Sequence, residues 1–159
     1  MPRIYTVEAE NIGVTNAGGD ADLVELDAAT DKPCELFGIK LYSTSELQEA
    51  QEEWLRLRVI RGHTTSGSTP AATPTPRPTS EGDAAAGFTA EIYNTTIASA
   101  GTAVNLDSFA MQVRAGYEIF LPEYCGYTFS GANLLVVRLM SGPVDDLNMN
   151  MTFYVREFA

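Results

Sequence analysis

The sequence predicts an all-β protein: an antiparallel β-sandwich, arranged as a jelly roll, with one long Thr/Pro-rich loop. Apolar residues recur with a period of two in many short segments, and turn-forming residues separate these segments. No stretch has the periodicity of a long amphipathic helix, which disfavours parallel α/β folds. About eight to ten short strands at such spacing are typical of two packed antiparallel sheets.

The clearest alternation predicts strands that face a core on one side and water on the other. These strands are expected at residues 37–42, 55–60, 116–121 and 148–156. Weaker alternation predicts further strands at residues 3–7, 22–26, 90–93 and 110–114. Residues 134–140 are apolar on both faces except at Arg138, which indicates a central strand or one covered by a partner.

Residues 64–86 differ from the rest of the chain, which otherwise reads as one domain spanning residues 1–159. This Thr/Pro tract has no large apolar side chain, and its prolines remove backbone donors and favour extended conformations. We therefore expect an extended loop or arm that reaches or binds something. Residues 1–10 are expected to form an N-terminal arm or an edge strand.

One segment has helical character. Residues 45–53 read SELQEAQEE, in which Ser45 and Gln48 have the spacing of a capping box. One or two helical turns or an acidic loop both fit this composition.

Charge and targeting signals restrict the function. The chain has 21 acidic and 10 basic residues and a formal net charge of −11, which opposes binding to nucleic acid or to anionic membranes. The sequence shows neither a signal peptide nor an apolar run long enough to span a bilayer, so synthesis in the cytoplasm is expected. Cys34 and Cys125 lack metal-binding spacing and are expected to be buried thiols, with a disulfide as the alternative.

The sequence contains no recognisable catalytic constellation, and we predict neither an enzyme nor a bound cofactor. The one histidine, His63, borders the Thr/Pro tract and is expected to be a loop residue, with a lone acid–base role as the alternative. No nucleotide-binding glycine loop or nucleophile elbow occurs. Asp20 and Asp22 follow two glycines, which fits a solvated turn or, alternatively, ligands for a calcium ion.

Several residues are candidates for contact with a partner. Arg56, Arg58 and Arg61 form a basic row that serves either an acidic neighbouring subunit or cross-strand pairing within the fold. Apolar residues near the N-terminus are expected to be exposed and to pair with an adjacent chain as an added strand. Trp54 and the methionines are expected in the core. The predicted partner contacts are Arg3, Ile4, Tyr5, Val7, Arg56, Arg58, Arg61, Pro74, Pro76, Arg77 and Pro78.

Several stretches together resemble small proteins encoded beside the major capsid gene in tailed bacteriophages and prophages. The similar stretches are RIYTVEAEN, DKPCELFGIKLYSTSE, EEWLRLRVIRGHTTSGS, the Thr/Pro tract, DAAAGFTAEIYNTTIASAGTAV and the closing LLVVRL and MTFYV. The resemblance is one of pattern over most of the chain.

The resemblance implies a capsid decoration (cement) protein: a jelly-roll-like domain, often a trimer, on the outside of an icosahedral shell. It implies the major capsid protein as partner, the virion surface as location, and no catalytic residues. The alternative is a carbohydrate- or host-surface-binding module of a head fibre or tail, because jelly rolls host lectin sites and Trp54 and the tyrosines offer stacking platforms. A metal-dependent cupin needs several histidines, and this chain has one.

Overall fold

The computed structural model describes residues 1–45 and 52–158, and these residues form strands and loops without an α-helix. The candidate helix at residues 45–53 therefore lies largely outside the described residues. The strands are β1 (Arg3–Val14), β2 (Ala21–Ala28), β3 (Cys34–Ser43), β4 (Trp54–His63), β5 (Ser68–Ala72), β6 (Arg77–Pro78), β7 (Phe88–Thr96), β8 (Val104–Gln112), β9 (Tyr117–Phe120), β10 (Tyr127–Phe129), β11 (Leu134–Leu139) and β12 (Leu147–Glu157).

The strands form two antiparallel sheets packed face to face. Sheet A has the order β10-β3-β12-β1-β6, and β9 pairs with β3 beside β10. Sheet B has the order β5-β7-β2-β11-β4-β8. The predicted all-β sandwich is confirmed.

The core between the sheets follows the predicted alternation. Along β12, Met149, Met151, Phe153 and Val155 are fully buried, whereas the residues between them are half-buried on the outer face. Full burial of a side chain such as that of Phe153 contributes about 1.5–3 kcal/mol relative to exposure. The predicted core positions of Met149 and Met151 are confirmed.

The central strand of sheet B, β11, is buried on both faces, as its composition predicts. Leu135, Val137 and Leu139 belong to the main core. Leu134 and Val136 form a smaller cluster on the outer face, together with Ile60 and Ala98. Ala98 comes from the connection between β7 and β8, so a segment of the same chain covers this face.

The Thr/Pro tract, which was predicted as an extended loop or arm, lies against its own sandwich and does not project from it. β5 pairs with β7 at the edge of sheet B, and β6 pairs with Tyr5 and Thr6 of β1 at the edge of sheet A. Proline is tolerated there because the missing N–H of an edge strand needs no partner on its outer side. The tract therefore extends both sheets, and Pro76 is buried.

Two other boundaries differ from the prediction. β1 begins at Arg3 as expected but continues past residue 7 to Val14, and it pairs with β12. Of the two alternatives for residues 1–10, an arm or an edge strand, the structure therefore has a strand near the sheet edge. The strand expected at residues 110–114 is β8, which begins earlier, at Val104. Its weak alternation follows from its position at the edge of sheet B, where several side chains are exposed on both faces.

Candidate interaction surfaces

The outer face of sheet B carries an exposed basic row. Trp54, Arg56 and Arg58 occupy alternate positions on β4, about 6.8 Å apart along the strand, and all three are exposed. The residues between them, Leu55 and Leu57, are buried in the core. Trp54 is 63% exposed, so its predicted core position is wrong.

On β8, Arg56 and Arg58 face small neutral neighbours, whereas on β11 Arg58 lies opposite Arg138. Arg56 lies opposite Ala110 and Arg58 lies opposite Ser108 on β8, so neither arginine forms a cross-strand ion pair with β8. Within the described residues, neither guanidinium is in a salt bridge. An open groove of about 400 Å³ runs beside them and is also lined by Met140. Two cationic side chains are thus available on a chain of net charge −11.

Arg61, the third member of the predicted row, is used inside the fold. Its Nη1 donates to the carbonyl oxygen of Thr128 at 2.8 Å and to the hydroxyl of the same residue at 3.1 Å. This contact ties β4 of sheet B to β10 of sheet A at one end of the sandwich. Arg61 therefore does not belong to the open surface formed by Arg56 and Arg58.

The N-terminal candidates are mostly internal. Tyr5 and Val7 are fully buried, so the prediction that they are exposed is wrong. The Tyr5 hydroxyl donates to the carbonyl of Ala84 at 3.0 Å, which fastens β1 to the end of the Thr/Pro tract. Ile4 is half-buried, and its carbonyl accepts a hydrogen bond from the Thr79 amide. Arg3 lies 3.9 Å from the carboxylate of Glu157.

The candidates in the Thr/Pro tract fall into two groups. Arg77 is exposed on β6, whereas Pro78 is half-buried opposite Tyr5. Pro74 and Pro76 line an apolar groove of about 320 Å³ between the tract and the start of β7, where Phe88 forms part of the wall. The tract thus encloses a groove on its own chain, and Arg77 is its one basic side chain.

A buried ion pair on the outer face of sheet B links three elements. Arg138 on β11 donates from Nε to Asp22 Oδ1 at 2.6 Å and from Nη2 to Asp22 Oδ2 at 3.1 Å. Asp22 also accepts from the Ala98 amide at 2.7 Å, and Arg138 donates to the Ala98 carbonyl at 3.0 Å. The pair thus anchors the segment between β7 and β8 and corrects the expectation of a solvated turn at Asp22.

His63 completes this cluster. Its Nδ1 lies 3.2 Å from the carbonyl of Ala100, and its Nε2 lies 3.4 Å from Nη2 of Arg138. Because a carbonyl only accepts, Nδ1 carries the proton and Nε2 accepts from Arg138. His63 is buried at the end of β4, so its assignment as a plain loop residue is wrong. Its contacts indicate a structural role.

Metal-ligating groups do not converge within residues 1–45 and 52–158. No set of three or more His, Cys, Asp or Glu side chains in that part of the chain is arranged to hold a metal ion. Asp22, one of the two candidate calcium ligands, forms a salt bridge with Arg138. Glu25, a buried carboxylate on β2, accepts from the amide of Gly67 at 3.0 Å and from the hydroxyl of Ser66 at 2.7 Å, which fixes the start of the Thr/Pro tract.

The outer face of sheet A carries an aromatic cluster that the sequence analysis did not identify. Phe37, Phe120 and Tyr154 have ring centroids 5.0–6.4 Å apart, and the Lys40 ammonium lies 5.4 Å from the Phe120 centroid. The rings meet above Gly38, where an added Cβ would lie 2.8 Å from Phe120. The alternation of β3 and β12 placed these rings outward, but only the pairing of β3 with β9 brings Phe120 to them.

The two cysteines differ in reactivity. Both are free; Cys34 is fully buried, and Cys125 is exposed. Burial, together with the charge of Glu157, raises the pKa of Cys34 to about 12. The expectation of two buried thiols is therefore wrong for Cys125.

Because a thiolate reacts and a thiol does not, we expect a disulfide reagent to modify one thiol per native chain, that of Cys125. Unfolding in urea should expose the second. Cys125→Ser is the control, and its native form should not react. Rapid reaction of two thiols in the native protein would contradict this assignment.

A short hydrogen bond joins the two sheets near β10. The Tyr127 hydroxyl donates to Asp107 Oδ2 at 2.5 Å. Burial, this hydrogen bond and the charge of Asp107 raise the pKa of Tyr127 well above its ordinary value of 10. The folded state therefore favours the protonated phenol.

The stability that this bond contributes is complete below about pH 10 and is lost as the pH rises through the folded-state pKa. We expect the free energy of unfolding to fall between about pH 9 and about pH 11, and the fall to be smaller in Tyr127→Phe. Urea unfolding at the two pH values measures the fall in the free energy of unfolding. Tyr124→Phe, at a side chain that is 80% exposed, is the control. An identical fall in wild type and Tyr127→Phe would contradict the prediction.

Comparisons with family models, with curated proteins and with solved structures found no match to this chain. Within residues 1–45 and 52–158, no helix has the length and apolar character needed to cross a membrane. The class supported by the fold and surfaces is therefore a β-sandwich with an exposed basic row.

Proposed function

We propose that this chain is a structural virion protein that decorates the outer surface of a tailed-phage capsid and stabilises it by binding between major capsid subunits, without catalysis. Its location would be the virion surface after synthesis in the host cytoplasm. The observation that carries the proposal is the exposed pair Arg56 and Arg58 on a rigid sheet of an otherwise acidic chain. The family resemblance supplies the identity of the partner.

The geometry supports a contact protein in two ways. The basic row lies on β4, between β11 and β8, so its spacing is fixed by backbone hydrogen bonds. The Thr/Pro tract is packed against the same chain, so little ordering entropy remains to be lost on docking. Repeated copies of such a surface on a lattice add their binding energies through multivalency.

We infer further that the sandwich has jelly-roll topology. Eight of its strands, taken in chain order, alternate between the sheets except at the step from β4 to β8, and β10 is an additional short strand beside β3. The eight are β1, β2, β3, β4, β8, β9, β11 and β12. Their spatial orders are β1-β12-β3-β9 and β2-β11-β4-β8. Such orders fit two Greek keys. The segment containing β5, β6 and β7 is then an insertion that widens both sheets.

Sedimentation tests the function. Purified protein is mixed with expanded shells that lack it, and the mixture is pelleted; unexpanded shells are the control for lattice geometry. We expect the protein to pellet with expanded shells at a fixed ratio to the shell protein. Light scattering of the free protein is expected to give the mass of a trimer. Protein that remains entirely in the supernatant would refute the proposal.

Exposed aromatic residues favour a second candidate, a carbohydrate- or host-surface-binding module. Trp54 is 63% exposed beside Arg56, and such a ring can stack on a sugar. A glycan array distinguishes the two functions: binding that is lost in Trp54→Ala would favour this candidate. Tyr124→Ala, at another exposed aromatic residue, is the matched control.

A further inference from the structure

We propose that the outer edge of β8 accepts an extended acidic segment of the partner protein as an additional strand of sheet B, with carboxylates of that segment paired to Arg56 and Arg58. The inference rests on the proposed function, because it assigns the acidic segment to the shell protein. It names the part of the surface that docks and the chemistry of the segment that binds there.

The edge of β8 is available for strand addition. β8 pairs with β4 on one side. On its other side, within residues 1–45 and 52–158, Gln112 alone is paired, in an isolated bridge with Gly116, so the edge is open from Asp107 to Met111. From Asp107 to Gln112 its register with β4 is regular; the irregularity lies before Asp107. An open edge presents unpaired N–H and C=O groups that another chain can bind.

β8 lacks two of the protections that are usual on an edge strand. Its sequence, VNLDSFAMQ, contains no lysine and no proline, which natural proteins place on edges to prevent pairing. Its one charged side chain, Asp107, is engaged by the Tyr127 hydroxyl. Val104, at the start of the strand, is 50% exposed. The edge is therefore unusually permissive for a partner strand.

The arginines give this edge its selectivity. Arg56 and Arg58 lie one strand inward, opposite Ala110 and Ser108, whose small side chains leave the space between the guanidiniums and the edge open. Grooves of about 400 Å³ and 410 Å³ follow this part of the sheet. An added strand would lie about 4.8 Å beyond β8, and its residues i and i+2 would share the face of the two arginines.

Charge complementarity identifies the occupant. Carboxylates at i and i+2 on the added strand repeat the spacing of Arg56 and Arg58, and ionised pairs form the stronger class of hydrogen bond. A second copy of this chain is less suited, because none of its four alternating acidic pairs is free in an extended segment. The pairs at residues 8 and 10 and at residues 25 and 27 lie in β1 and β2, Asp22 of the pair at residues 20 and 22 is bound by Arg138, and the pair at residues 81 and 83 lies in a turn. The acidic segment therefore belongs to another protein.

Charge variants test the arginines on shells. Arg56→Glu/Arg58→Glu is expected to weaken binding to expanded shells at least about tenfold. Ala110→Glu should weaken it as well, by supplying Arg56 with an internal carboxylate, whereas the isosteric control Ala110→Gln should not. Thr96→Glu, which adds a negative charge at an exposed position of β7 near the opposite edge of sheet B, should bind like wild type. Undiminished binding of the double variant would overturn the inference while the proposed function stands.

Hydrogen exchange tests the strand. The amides of residues 107–111 that face the open edge should exchange more slowly in shell-bound protein than in free protein, whereas those of β5, at the opposite edge of sheet B, should be unchanged. Unchanged exchange across β8 in bound protein would mean a contact through the face of the sheet and would overturn strand addition.

Titration with a synthetic peptide tests strand addition at β8 without shells. A Thr-Glu alternating decapeptide should shift the amide resonances of β8, its Thr-Gln counterpart should not, and the double arginine variant should abolish the effect. Absence of these shifts at millimolar peptide, when shells also fail to bind, would overturn the inference together with the proposed function. Shifts in β8 without shell binding would refute the capsid partner alone. A sulfated oligosaccharide that shifts Trp54 instead of β8 would assign the surface to glycans.

Discussion

Arg138→Met is expected to lower the free energy of unfolding by about 3–5 kcal/mol, because it leaves the carboxylate of Asp22 buried without its cation. Asp22 is fully buried, and both of its oxygens accept from Arg138. Desolvation of an unpaired charge outweighs the small gain from the apolar replacement. Urea unfolding measures the loss.

Two variants make the Arg138 result specific. Arg58→Met removes an exposed arginine from the neighbouring strand and should change stability by no more than about 0.5 kcal/mol. Asp22→Asn/Arg138→Met should be more stable than Arg138→Met alone, because the neutral amide retains an acceptor for the Ala98 amide. Equal stability of Arg138→Met and Arg58→Met would show that the pair is not buried as described.

Gly62→Ala is expected to destabilise the protein by at least about 2 kcal/mol. Gly62 has φ +109°, which residues with a side chain rarely adopt, and an added Cβ would lie 2.2 Å from the carbonyl oxygen of Thr102. That oxygen belongs to the backbone before β8, so the strain would displace the segment that covers the outer face of sheet B. Thermal unfolding measures the effect.

Gly19→Ala is the matched control for this prediction. No heavy atom lies within 4 Å of the position its Cβ would take. The substitution should therefore be neutral, or stabilising through the reduced freedom of the unfolded chain. The interpretation of Gly62 would be contradicted if both variants unfolded at the wild-type temperature.

Local patterns predicted the fold because alternation is a property of each strand by itself. Trp54 lies at the same alternate positions of β4 as Arg56 and Arg58, which point outward. The exposure of Trp54 could therefore have been predicted from the sequence. The wrong prediction of a core position for Trp54 came from the general tendency of tryptophan to be buried.

Contacts between segments that are far apart in the chain could not be predicted from the sequence. Nothing local in Asp22 indicates that Arg138, 116 residues away, will bury it. The proline content of residues 64–86 indicated a free loop, whereas β1 and β7 each provide an edge with which parts of it pair. For the same reason Tyr5 and Val7 read as exposed, although the opposite sheet and the tract cover them.

Calorimetry of expanded shells, with and without saturating amounts of this protein, tests most directly whether it acts as a capsid-stabilising decoration protein. Because a ligand that binds only the assembled state stabilises that state, we expect the shell transition to move to higher temperature as occupancy increases. A shell transition that stays at the temperature of the undecorated particles, with the protein bound or free, would contradict that role.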